Sequence, residues 1–238
     1  MGAALQDRDI EVAWTGPPQC EHCGIRDLVL FADLRHDDFE LIHKPIDELR
    51  CGVGEALYRP VDHPGHVFTI RQGLLKLVQY LPNGGQRIVR LLKQGDVAGL
   101  EVTLGHPYQH EAVVLEVVSA CRIPVSVITR LSRDTPRLHQ QLLTRWQRVV
   151  SDADTWITGL STGPAQSRVA RLLLHMLGSQ PDNRCYLPTR EDIGAMLGIT
   201  PETASRMVAE LKRSGLVHEL DAKHARVDRD GLVRIAVR

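Results

Sequence analysis

The stretch TREDIGAMLGITPETASRMVAELKRSGLV, residues 189–217, admits few folds. Thr189 followed by Glu191 and Asp192 is a helix start: a hydroxyl that accepts from free backbone N–H groups, then acids near the positive end of the helix dipole. Ile193, Met196 and Leu197 give that helix one apolar face, and Gly198 ends it. Thr200-Pro201-Glu202 opens a second helix, with proline at a first-turn position that has no intrahelical partner to lose. Gly215 closes the second helix, and LVHELDAKHARVDR then reads as a two-strand wing. Helix, short glycine turn, helix and wing make a winged helix-turn-helix, whose second helix enters the major groove of DNA.

On that second helix Ala204, Met207, Val208 and Leu211 fall on the core side. Glu202, Thr203, Ser205 and Arg206 then face outward near its leading end. An arginine fork matches guanine O6 and N7, a glutamate accepts from cytosine N4, and a serine serves either. Lys212 and Arg213, further along, suit backbone phosphates.

Upstream the texture differs. From Cys51 to about Arg130, short β-rich runs alternate with glycine turns. VFTIRQG, LLKLVQYL and QRIVRLLKQGD are divided by Gly73 and by Pro82-Asn83-Gly84-Gly85, and the Asn-Gly step predicts a hairpin with positive φ at both turn residues. EAVVLEVVS and ACRIPVSVI extend the series of strands, giving a small antiparallel barrel or roll. Ahead of it, Leu34, Phe39, Ile42 and Ile46 predict a helix within residues 26–49, after a polar lead of about 19 residues. Behind it, Leu138, Leu142, Trp146, Val149, Ala153, Trp156 and Leu160 follow steps of four, four, three, four, three and four, close to a heptad seam. We read Leu142, Trp146, Val149, Ala153, Trp156 and Leu160 as the seam of a homodimer, with packing on the chain's own roll as the alternative.

These segments, in this order, resemble the CRP/FNR family of bacterial transcription regulators. The resemblance covers about residues 20–230, and Glu202-x-x-Ser205-Arg206 is similar to the reading triplet of the FNR branch. It implies an α+β chain: an N-terminal segment (1–25), a β-roll like the cyclic-nucleotide-binding jelly roll (26–133), a dimerisation helix (134–162) and a winged helix-turn-helix (163–238). It also implies a palindromic site with TTGAT-like half-sites, roughly 34 Å apart, on double-stranded DNA, and RNA polymerase as a further partner.

The resemblance also bears on the signal. Cyclic-nucleotide members carry Gly-Glu and then Arg-Ser. This chain has Gly99-Leu100-Glu101 and Gln109-His110-Glu111-Ala112, with no arginine at the expected place and with Glu111 set to repel a phosphate. The five cysteines point elsewhere. Cys20-x-x-Cys23 places two thiolates on one metal centre, and Cys121, in SACRIP, resembles the FNR branch's distant cluster ligand. By resemblance these three match ligands of an oxygen-labile [4Fe–4S] cluster, which takes four thiolates. The FNR branch has a further cysteine soon after the CxxC; here that stretch reads GIRDLVLF. Cys51 is the remaining candidate, with His22 or Asp27 as alternatives. Two CxxC thiolates plus two distant ones also satisfy zinc. Haem is a third possibility, with His63, His66, His106 and His110 at hand among eleven histidines. Cys185, in NRCYLP, reads as a free thiol in a linker.

The formal net charge is zero, which excludes an overall basic polyanion binder but leaves a local basic face. No apolar run approaches ~18 residues, and the N-terminus has acids and no apolar block. A cytoplasmic, non-membrane regulator follows, with its cysteines as thiols or ligands. The rival of another class is a cupin-like metalloenzyme using His63-x-x-His66. Its partner ligands are missing from the next strands, so we expect no enzyme.

Overall fold

A computed structural model describes residues 30–35, 38, 42, 44, 46–177 and 182–237. Cys20 and Cys23 therefore lie outside the described residues, as does Phe39. The described residues fall into two compact units: one up to Gln79 together with Val89–Val150, the other Tyr80–Ile88 with Ser151 onward.

The first unit is built on strands β1 (Asp47–Cys51), β2 (Ala56–Tyr58), β3 (His66–Tyr80), β4 (Gln86–Leu92), β5 (Val97–Ala98) and β6 (Glu111–Pro124). The sheet runs β1-β6-β3-β4, with β2 on β6 and β5 on β3, and the pairings of β6 with β1, β2 and β3 and of β3 with β5 are antiparallel. Helix α1 (Val125–Asp134) follows, then the long helix α2 (Pro136–Leu160), which belongs to this unit as far as Val150. Ile70, Leu75, Ala112, Val118 and Ala120 are sealed in the core, where Tyr58 stacks on both Phe68 and Tyr108.

Four sequence expectations need correction here. The predicted helix within 26–49 does not run through: Leu30–Asp33 is a turn and Asp47 begins β1, although Leu34, Ile42 and Ile46 are buried as their spacing implied. Gly73 is no turn. It sits inside β3 at φ 95°, at register shifts against β6, where an added Cβ would stand 2.3 Å from the Val117 carbonyl oxygen. Only glycine permits that bulge. At Pro82-Asn83-Gly84 the hairpin forms, but only Gly84 takes positive φ. Pro82 fixes a negative φ at the first turn position, and Asn83 instead accepts from the Gly85 N–H at 3.0 Å through its side chain. Finally, EAVVLEVVS and ACRIP are one strand, and the β-branched VSVIT begins α1, whose Val127, Ile128 and Leu131 are buried at helical spacing. Amphipathic burial overrides the weaker strand propensity there.

The second unit contains α3 (Ala165–Leu177), β7 (Arg184–Tyr186), α4 (Arg190–Leu197), α5 (Pro201–Arg213), β8 (Val217–Glu219), β9 (His224–Val227) and α6 (Arg229–Ala236). Its sheet runs β7-β9-β8. The wing thus has a third strand that the sequence hid. Cys185 lies on it, 3% exposed, rather than in a linker, and burial pushes its thiol up to about 11.

Candidate DNA-reading helix and sensory residues

Helix α4 begins where its cap demands: Thr189 Oγ1 accepts from the Asp192 N–H at 3.1 Å. It ends on Gly198 at φ 62°. Helix α5 begins with Thr200 accepting from the Thr203 N–H at 3.3 Å, with Pro201 in the first turn. Ala204, Val208 and Leu211 are fully buried and Met207 half-buried. That orientation leaves Glu202, Ser205, Arg206 and Arg213 exposed and Thr203 half-exposed. An Arg206 Nη2 donates to Thr203 Oγ1 at 3.2 Å. The Glu202 carboxyl is held below the usual range by hydrogen bonding at Thr200, then by its own backbone N–H, then by the Arg206 charge. It is an acceptor at neutral pH, as a base-edge amino group requires. Lys212 is committed differently from the sequence reading: it pairs with Glu219 of the wing, which also takes Arg190 at 3.5 Å. One wing carboxylate thus gathers cations from both helices.

The long helix changes the account of the seam. Leu138 is sealed in the roll core, and Leu142, Trp146 and Val149 pack half-buried against it. Leu160 is 4% exposed, Trp156 stands edge-on to His175, and Ala153 is half-buried. The apolar side chains left in solvent are Leu143, Val150 and Ile157, at seven-residue steps. Spacing alone does not say which apolar stripe meets the roll, and here much of the chosen one does.

Cys51 and Cys121 do not converge. Cys51 pairs with Val118 and Cys121 with Glu48 in an unbroken ladder. Three residues at about 3.4 Å each separate them by roughly 10 Å along the strand, and the odd offset turns them to opposite faces. Cys51 is buried on the core side, where burial, with the Glu55 charge, pushes its thiol up to about 11. A bound metal would itself deprotonate the thiol, so the case against Cys51 as the fourth ligand rests on its register and face relative to Cys121. Cys121 is half-buried and packs against the roll core. Among the described residues no group of three His, Cys, Asp or Glu side chains is placed to hold a metal ion.

The roll also holds a cavity of about 170 Å³, lined among others by Arg90, Glu101, His110, Trp146 and Val149. No arginine stands beside Gln109-His110 in the chain. Arg90 arrives instead from β4, and Glu111 does not line the cavity but pairs with Arg59 at 3.0 Å. Burial holds the His110 imidazole below its ordinary pKa, and His66 likewise. At this volume the cavity is below the ~300–1,000 Å³ of drug-sized ligand pockets.

Residues 49–135 match the cyclic nucleotide-binding domain family and residues 167–235 the Crp-like helix-turn-helix domain family. The chain belongs to the CRP/FNR family of transcription regulators. It is 28% identical over 205 residues to the transcriptional activator protein anr of Pseudomonas aeruginosa, covering 83% of this chain and 84% of that one. It is also 28% identical over 225 residues to the transcriptional activator protein FnrA of Stutzerimonas stutzeri, covering 91% and 92%. The structure of FixK2 from Bradyrhizobium japonicum shares the fold, with a TM-score of 0.71 and 24% identity over 80% of this chain and 96% of that one. A CRP/FNR regulator binds DNA and is not an enzyme. No described helix is long and apolar enough to cross a membrane.

Proposed function

We propose that this CRP/FNR regulator is a cytoplasmic homodimer that binds a TTGAT-like palindrome and responds to oxygen or nitric oxide. The observation that carries the DNA reading is the leading end of α5, where Glu202, Ser205 and Arg206 are exposed together while Ala204, Val208 and Leu211 anchor the helix. Glu202 accepts from a cytosine or adenine amino group, Arg206 grips a guanine edge, and Ser205 adjusts to either. Arg213, with Lys212 and Arg190 about Glu219, meets phosphates. The second copy covers Leu143, Val150 and Ile157, the exposed apolar row of α2. We propose the domain limits 1–25, 26–133, 134–162 and 163–238, with RNA polymerase as the further partner.

For the signal, the donor set that fits an iron–sulfur centre is Cys20, Cys23 and Cys121. Cys51 does not belong to it, so the fourth donor is open to His22 or Asp27. The likeness to FNR-type activators supports this centre over zinc or haem. Bound there, it supplies reactivity toward oxygen. The chain's own part is to hold a thiolate at Cys121 on β6, the strand that leads into α1 and α2. The test is anaerobic purification with iron and sulfide counts and DNA affinity before and after air. Iron and sulfide with an air-sensitive affinity support the reading; zinc alone, or identical affinities, defeats it.

A further inference from the structure

The leading end of α5 contains one arrangement that base contacts do not require. Arg206 Nη2 donates to Thr203 Oγ1 at 3.2 Å, and Thr203 Oγ1 lies 3.3 Å from Thr200 Oγ1, within hydrogen-bond distance. Thr200 is itself fixed, because its hydroxyl oxygen caps the helix by accepting from the Thr203 N–H at 3.3 Å. The guanidinium is thus tied through two hydroxyls to the N-cap of the helix. A threonine oxygen has two acceptor sites, and the arginine occupies one of them. Arginine has five N–H donors, so four remain for DNA. Both Arg206 and Glu202 are exposed, where an untethered arginine samples many rotamers and loses that freedom on binding.

We infer that Thr203 is a positioning residue for Arg206, setting the guanidinium toward the base edge before DNA arrives. Its β-branched side chain is split between two χ1 states in a helix, and Oγ1 here sits between Thr200 Oγ1 and the Arg206 guanidinium. The inference rests on the DNA-reading assignment above and deepens it. Thr203 acts on specificity through Arg206 rather than through its own base contact.

The test is a double-mutant cycle on the full-length dimer, with a duplex carrying the TTGAT palindrome and one in which the guanine of each half-site is replaced. Thr203→Val keeps the shape and removes the hydroxyl; Thr203→Ser restores it. T203V is expected to lower the preference for guanine about three- to tenfold, the range for one side chain ordered only on binding. T203S should recover most of the preference, and T203V should add no loss in an R206A background. An equal T203V loss with and without Arg206 would overturn the inference in favour of an independent DNA contact. An unchanged preference in T203V, or no recovery in T203S, also overturns it. If wild type itself shows no guanine preference, the DNA-reading assignment fails first and the inference goes with it.

Discussion

Changing Asp38 to Asn perturbs the attachment of the residues ahead of the roll. Asp38 is 7% exposed, and its carboxylate accepts from the Arg35 N–H at 2.7 Å and from Arg137 at 3.1 Å (Nε) and 2.7 Å (Nη2). Thr135 Oγ1 lies 3.5 Å away. Asparagine has the same size but turns an N–H₂ toward one of these donors and removes the charge. A hydrogen bond to a charged group contributes about 1.5–3 kcal/mol. The Arg137 side chain is 37% exposed and regains some hydration, so the net loss should be about 2 kcal/mol. For a chain of this length, 1 kcal/mol moves Tm by about 2–4 °C, which gives a drop of roughly 4–8 °C in a calorimetric scan at pH 7. Burial alone would raise the Asp38 pKa. The Arg137 hydrogen bonds, the Arg35 N–H and the Arg137 charge outweigh it and hold the carboxyl below its ordinary value. A depressed folded pKa contributes stability that is full above the unfolded value, ~3.9, and is lost as pH falls through the folded one. The deficit of D38N should therefore hold from pH 8 to about 5 and shrink below about 4. A Tm within 1 °C of wild type at pH 7, or a deficit that grows on acidification, refutes the reasoning.

Glutamate at Leu143, Val150 and Ile157 should yield a monomer by analytical ultracentrifugation at micromolar concentration; a surviving dimer would place the interface on another face of α2. Gly73→Ala should destabilise the roll by roughly 2 kcal/mol or more, from strain at positive φ and collision with the Val117 carbonyl, measured by urea unfolding. Cys51→Ser should retain iron and sulfide after anaerobic purification while Cys121→Ser loses them; the reverse pattern restores Cys51 as a ligand.

The helix-turn-helix was legible because its signals are local. Thr189, Gly198, Thr200, Pro201 and Gly215 mark boundaries within single turns of chain, and each acts where the spacing implied. The roll's strands were legible as β texture, but their limits were not. Gly73 looks like a turn until Val117 of β6 is seen against it, and that closeness depends on residues more than forty apart. Arg90 in the cavity and the Asp38–Arg137 pair are also long-range products of strand register and helix docking. The seam shows a related limit. Two apolar rows share α2, and only the position of the roll core distinguishes Leu142, Trp146 and Val149 from Leu143, Val150 and Ile157.

The most direct measurement compares wild type and Arg206→Ala on a TTGAT palindrome and on a scrambled duplex, by fluorescence anisotropy at one fixed salt concentration, anaerobically and after air. Wild type should prefer the palindrome in at least one redox state, and R206A should lose ~1–3 kcal/mol of that preference at each half-site. Equal affinity of wild type for both duplexes in both states, or a preference that R206A leaves intact, contradicts the assignment of α5 as the reading helix.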